Sequence, residues 1–347
     1  MSKVSFTILV FLFAKDSWTQ SDTSASRHKR AAFTGIPILN YNGSYGFILG
    51  ANAMAFFHVN RRDTISPASQ AGIGGGYTEN RSWFTSLFTQ LYFNEDRWRV
   101  TAAAGFGKIN FQYFEEADDT NDGSFADYGS VNRFIFLSGL RKIKGPFYGG
   151  LLVKFQHSHT EFDAHPDSTL EVASNGIGGS LLLDSRDKIY NPSKGWFISA
   201  TFLSNVAWLG SDSLFSSIRF FVNKYLRINT RSVLASRFSL YTGLGRVPFS
   251  SQRAVGGKDI RGYTDGKYRG NQVYAVQTEY RWNFYRRWGA VAFTGLAFTG
   301  NPPSSGLPGA GIGIRFLALR THNINIGVDA AIGKDDNGLY FRINEAF

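Results

Sequence analysis

The chain has 347 residues, with 38 Gly, 32 Phe, 16 Tyr, no Cys and a formal charge of +11 at a sequence pI near 9.7. Mean hydropathy is −0.18, and past the first residues no apolar run reaches the roughly 18–20 residues a membrane helix requires, which excludes a helical membrane protein. Without Cys there is no disulfide scaffold, and the scattered Lys and Arg form no stripe of the kind that reads nucleic acid, so no nucleic-acid partner is expected.

The N-terminus reads as an export signal. Lys3 is the basic start and Val4 to Ala14 an apolar stretch too short to span a bilayer. Ser24-Ala25-Ser26 and the region of Thr19 and Gln20 are alternative cleavage points, so residues 1–26 are expected to be a signal peptide. Residues 27–36, with the basic cluster Arg27-His28-Lys29-Arg30, are expected to be a short periplasmic lead.

From residue 37 to 347 a single all-β domain is expected, a transmembrane antiparallel barrel of about 16 strands. The segments are Pro37–Tyr41, the weakest, then Gly46–Val59, Gln70–Glu79, Trp83–Phe93, Trp98–Phe114, Val131–Ile143, Tyr148–Phe162 and Gly176–Asp184. They continue with Gly195–Leu209, Phe215–Ile228, Val233–Leu244, Asn271–Phe284, Ala290–Thr299, Gly309–Ala318, Asn323–Gly333 and Gly338–Phe347. An even number places both chain ends on the periplasmic side.

Alternation sets each register. Tyr274, Val276, Tyr280, Trp282 and Phe284 share one face, opposite Gln277, Glu279, Arg281 and Asn283. Ile218, Phe220, Val222, Leu226 and Ile228 oppose Arg219, Asn223 and Arg227, whereas Ile324, Ile326, Val328, Ala330 and Ile332 oppose Asn325 and Asp329. A slip by one residue would drive charges into lipid at about 2–4 kcal/mol for each midplane Arg or Lys. Basic side chains then belong in the lumen and at the rims, some on lipid phosphates. Long polar insertions at 115–130, 163–175 and 245–270 all fall on the outer side.

Little in the chain suggests catalysis. There is no G-x-S-x-G elbow, and the G-x-G runs (Gly74 to Gly76, Gly311 and Gly313) lead into strand, not helix, so neither an enzyme nor a cofactor is expected. His157 and His159 point the same way and read as a polar lumen or rim feature in preference to a metal site; Asp118, Asp119, Asp122 and Asp127 read as a solvated acidic loop, not a calcium site.

Three motifs in order carry a resemblance. Gly256-Gly257-Lys258-Asp259-Ile260-Arg261-Gly262-Tyr263 resembles the signature arginine loop of the BamA/TamA superfamily of outer-membrane insertases. Asp184-Ser185-Arg186-Asp187, followed by Asn191-Pro192-Ser193-Lys194-Gly195-Trp196, is similar to that family's turn between two mid-barrel strands. Five strands then follow the arginine loop, and the last carries Phe341, Ile343 and Phe347.

The resemblance implies a lumen-folded loop (245–270) latched by Ile260, Arg261, Gly262 and Tyr263, with Glu279 as the acid on the following strand. The family's second acid, in a Phe-x-Asp segment, falls on Gly295 in Ala292-Phe293-Thr294-Gly295, so one obvious partner is expected for Arg261. Glu345 interrupts the apolar face of the last strand. Periplasmic POTRA modules, usual in insertases, have no room before Pro37, so a barrel-only member is expected. The implied setting is the bacterial outer membrane and its lipid. The implied work is folding, insertion or transport of client outer-membrane proteins through a weak strand seam, with a separate periplasmic module or a second copy as candidate partners. A passive pore or structural barrel, plugged by the arginine loop, is the alternative.

Overall fold

A computed structural model describes residues 32–42, 46–115, 124–163, 165–188, 191–256, 259–263, 267–300, 303–319, 324–343 and 345–347. The expected signal peptide, the basic cluster at 27–30, Lys258, and Asp118, Asp119 and Asp122 lie outside the described residues.

Twelve strands come first: β1 (Ala32–Asn42), β2 (Gly46–Phe57), β3 (Ser69–Thr78), β4 (Trp83–Phe93), β5 (Trp98–Glu115), β6 (Ser124–Lys144), β7 (Phe147–Phe162), β8 (His165–Ala173), β9 (Gly176–Asp184), β10 (Gly195–Asn205), β11 (Phe215–Arg227) and β12 (Ser232–Gly245). A small hairpin, β13 (Arg253–Ala254) with β14 (Arg269–Gly270), lies within the long loop. The chain returns to the wall as β15 (Gln272–Tyr285), β16 (Trp288–Gly300), β17 (Leu307–Leu319), β18 (Ile324–Gly333) and β19 (Asp336–Ile343). Neighbours pair antiparallel in chain order.

The main sheet has 17 strands, but β8 and β9 share one stave, which makes sixteen. β8 pairs with the outer half of β7 and β9 with its inner half. At the break, Ser174 N–H donates to the Gln156 carbonyl at 2.7 Å, and Asn175 Oδ1 accepts from Gln156 N–H at 3.1 Å. The insertion expected at 163–175 is therefore mostly strand. β8 turns Leu170 and Val172 inward, opposite Thr160 and Ser158 of β7, and Thr169 and Glu171 outward, the reverse of the lipid-facing pattern, and its ladder slips between Glu161 and Phe162. The 115–130 insertion is likewise shorter than expected, since β6 already begins at Ser124. β1 begins at Ala32, ahead of the expected Pro37 and inside the segment read as a periplasmic lead; its ladder to β2 runs from Ala32↔Phe56 to Asn42↔Gly46.

The alternation holds. Tyr274, Val276, Tyr280, Trp282 and Phe284 are exposed on the outer wall, while Gln277, Glu279 and Arg281 are buried inside. No helix among the described residues is long and apolar enough to cross a membrane; the crossing is made by strands. His157 and His159 face outward at the outer rim, bonded to Glu171 at 2.9 Å and to Glu161 at 3.3 Å.

One pair of neighbours differs from the rest. β1 and β19 approach within 8 Å between Cα atoms, yet no ladder pairs join them among the described residues.

Candidate functional site: the arginine loop and the terminal strands

The loop between β12 and β15 folds inward because its apolar residues find a pocket there. Val255, Ile260 and Tyr263 are buried with Tyr241, Val273 and Leu307 in a cluster inside the barrel wall. Tyr263 stays in place through both sides of its hydroxyl: it donates to the Pro308 carbonyl at 2.6 Å and accepts from Lys334 N–H at 3.0 Å. Gly262 turns the chain with φ of 111°, and its N–H donates to the Tyr340 hydroxyl at 2.8 Å. A Cβ there would stand 2.6 Å from the Ile332 carbonyl oxygen, so only glycine fits both the dihedral and the space.

This backbone aims Arg261 at the wall, where its side chain is fully buried. Nη2 lies 2.7 Å from Glu279 Oε2, an ion pair whose angle falls outside hydrogen-bond geometry. Nη1 donates to Asp329 Oδ2 at 2.7 Å, and Nε to Gln277 Oε1 at 3.0 Å. The guanidinium carbon sits 3.3 Å above the Phe293 ring centroid.

Arg261 therefore has two acids, not the one expected. Gly295, where the resemblance places the second, lies against β15, with the position of a Cβ only 3.1 Å from Gln277 Cα. The acid comes instead from Asp329 on β18. Its inward orientation was legible from alternation; its pairing across 68 residues was not.

The pair belongs to a larger network. Arg281 Nε donates to Glu279 Oε1 at 2.7 Å, and Arg315 and Arg342 both reach Asp329, Arg342 at 2.8 Å. Glu345 accepts from Arg315 at 2.9 Å and from Asn325 at 2.6 Å, and the Phe347 carbonyl accepts from Arg281 at 2.8 Å. The last strand is thus shorter than expected. It ends at Ile343, and Phe347 is not part of it, because Glu345 turns into the lumen to meet Arg315 and draws the following residues with it. Phe341 and Ile343 stay in the ladder opposite Val328 and Ile326. Burial of so many charges is tolerable only because each is paired.

The motif at 184–195 forms a separate periplasmic corner. Asp184 pairs with Arg186 at 2.8 Å and with Arg99 at 3.0 Å, and Arg186 covers the Phe197 ring. Asp187 accepts from the Ser193 hydroxyl and N–H, the latter at 2.8 Å. Burial alone would raise the Asp187 carboxyl; these bonds, the Lys194 N–H and Arg227 outweigh it and hold it below the usual range. Pro192 is buried in this turn, and Gly195 leaves it with φ of 107°. The corner organises the wall, and none of these bonds reaches the arginine loop.

Comparison with known proteins adds the family. The family model described as "Omp85 superfamily domain" matches residues 67–318. Among curated proteins no sequence match was found. Three solved structures are similar in shape. BamA from Haemophilus ducreyi lacking POTRA domains 1-3 has a TM-score of 0.60 and 13% identity, over 91% of this chain and 69% of that one. CdiB from Acinetobacter baumannii has a TM-score of 0.60 and 12% identity, over 90% of this chain and 59% of that one. CdiB from Escherichia coli has a TM-score of 0.60 and 15% identity, over 90% and 62%. This chain spans less than two thirds of either CdiB. At these identities the likeness concerns the barrel alone, whereas the family match covers most of the sequence: the chain belongs to the Omp85 superfamily and is an outer-membrane β-barrel.

Proposed function

We propose that this barrel assists the folding and insertion of other outer-membrane proteins, and that it does so at the seam between β1 and β19. The unpaired seam carries this reading. Every other neighbouring stave shares a ladder, whereas here two strand edges stand side by side without one among the described residues. Exposed edges template new strands, and a client hairpin could add to either by β-augmentation. The inward turn of Glu345 supports the same reading, since it removes the end of the chain from the position where it would extend the pairing. A periplasmic module on another chain, or a second copy, would deliver the client.

The test is the folding rate of a small client barrel with liposomes that contain this protein. Acceleration over empty liposomes is expected, and equal rates would discard the reading. The lumen-docked loop favours one alternative, a pore plugged by Arg261. In that case Arg261→Ala should enlarge single-channel conductance without any effect on client folding.

A further inference from the structure

The half of the lumen away from the arginine loop has its own chemistry. Across β2 to β7 the registers bring Met54, Gly72, Phe88, Ala103, Phe136 and Lys154 into one row. The row faces inward, because its chain neighbours Leu87 and Ile135 are exposed on the outer wall. The flanking lumenal rings Phe84 and Phe134 are 37% and 39% exposed, so this wall is open, not packed. Glycines create the surface: a Cβ at Gly72 would stand 2.7 Å from the Phe88 ring, and one at Gly105 2.5 Å from that of Phe134.

At the end of the row Lys154 bonds only the neutral Gln156, at 3.1 Å, and it lies near enough to Arg219 to feel its charge. Arg219 is exposed to the lumen and feels the loop's Arg253 and Asp259, which pair with each other at 2.8 Å; among the described residues neither Lys154 nor Arg219 forms an ion pair. Among the described residues no acid of β2–β12 stands on the inward face between Asp184 at the periplasmic end and the outer rim, and the loop's Asp259 is engaged by Arg253 and Ser239. The chamber is bounded above by the loop, where Ser158 donates to Ser250 at 3.2 Å and Phe249 packs on Tyr128 and Phe162. Below it, Tyr148 donates to Asp96 at 2.5 Å beside Arg99.

An apolar strip that ends in two cations outside any ion pair is complementary to a molecule with one anionic head and one alkyl tail. We propose that the lumen binds a single-chain anionic amphiphile, its carboxylate or phosphate at Lys154 and Arg219 and its tail along Phe136, Phe88 and Met54. The row crosses five strand spacings, about 24 Å at ~4.8 Å each. An acyl chain fills half of a ~30 Å hydrocarbon core, about 15 Å, so the tail fits within it. An extended peptide fits poorly: from Met54 to Phe136 the row offers no side-chain donor or acceptor, and the backbone groups of the peptide facing it would lose their partners. The site is independent of the seam.

The experiment uses the full chain in nanodiscs with three photoreactive diazirine probes of equal tail length: a fatty acid, a lysophosphatidic acid and a fatty alcohol. Label positions are read by tandem mass spectrometry. The acid, the lysophosphatidic acid or both should label Phe88 and Phe136 several-fold more than the alcohol does, and whichever labels identifies the head. Lys154→Gln with Arg219→Gln should reduce lumenal labelling at least to the alcohol level and leave outer-wall labelling at Ile135 unchanged. Arg219→Gln alone serves if the double variant does not fold. Labelling confined to the outer wall would overturn the proposal, as would lumenal labelling indifferent to head charge and to both substitutions. Labelling of the row by a photoreactive acidic peptide, with none by either lipid, would also overturn it.

Discussion

Arg261 and Asp329 are joined at 2.7 Å across 68 residues of sequence, which fastens the long loop to β18, the neighbour of the last strand. The network around them holds four cations, Arg261, Arg281, Arg315 and Arg342, against three side-chain carboxylates, Glu279, Asp329 and Glu345, with the main-chain oxygen of Phe347 also on Arg281. The loop and the terminal strands thus share one set of charges, and their positions are coupled.

The two residues are unequal in the partners they serve. Loss of Arg261 leaves Glu279 and Asp329 each with other arginines. Loss of Asp329 deprives Arg261, Arg315 and Arg342 together. Asp329→Ala should therefore cost about 3–5 kcal/mol, as expected when a buried pair loses one partner, and Arg261→Ala distinctly less. Arg261→Ala should still release the loop to protease between residues 245 and 270. Denaturant unfolding in detergent with limited proteolysis checks both, and equal destabilisation by the two substitutions would contradict the charge argument.

Gly262→Ala tests the loop without altering any charge. With φ of 111° and the Ile332 oxygen 2.6 Å from the new methyl, the turn must open. A penalty on the order of 1–3 kcal/mol is expected, the usual scale of local backbone strain. Because Gly262 N–H also donates to Tyr340 on β19, amide exchange in β19 should accelerate along with that in the loop. Unchanged exchange in β19 would show that the two move separately.

Strand positions and the inward acid Glu279 were legible because a barrel in lipid imposes a strict period of two, and errors place charge in hydrocarbon. Alternation turns Asp329 inward for the same reason. Its partnership was hidden, since the family pattern pointed to position 295, where the close approach to Gln277 leaves no room for a side chain. β8 is not legible as a lipid-facing strand because its alternation is reversed, with Leu170 and Val172 turned inward and Thr169 and Glu171 outward. The fate of Glu345 was visible only as a defect, one acid on an apolar face; the lumen supplies the cation that resolves it, Arg315.

A turn outside the membrane gives a pH signature. Asp63, between β2 and β3, accepts from the Ser66 hydroxyl at 2.6 Å, Ser66 N–H at 2.9 Å, Glu95 N–H at 2.8 Å and Ile65 N–H at 3.1 Å. The Ser66 hydroxyl foremost, then the N–H groups, hold its carboxyl well below the ordinary value. A depressed carboxylate stabilises the fold fully above its unfolded pKa of about 4 and loses that contribution as pH falls toward the folded value. The stability gap between wild type and Asp63→Asn should stay constant from neutral pH to about 5, then narrow below about 4. A gap that narrows between pH 7 and 5 would mean that another group is responsible.

The seam offers the most direct test of function. The chain has no Cys, so introduced pairs report only on themselves. A panel of cysteines at 34–38 on β1 and 338–342 on β19 would find pairs within disulfide reach, about 4.4–6.8 Å between Cα atoms. If the strands must part for a client edge to enter, each oxidised pair should remove the acceleration of client folding, and reductant should restore it. The control pair Leu39→Cys with Leu49→Cys, directly opposed in the β1–β2 ladder, should leave the rate unchanged in either state. An oxidised seam that accelerates client folding as well as the reduced one would place the activity elsewhere on the barrel, whereas loss in the control pair would attribute the effect to rigidity of β1 and not to closure of the edge.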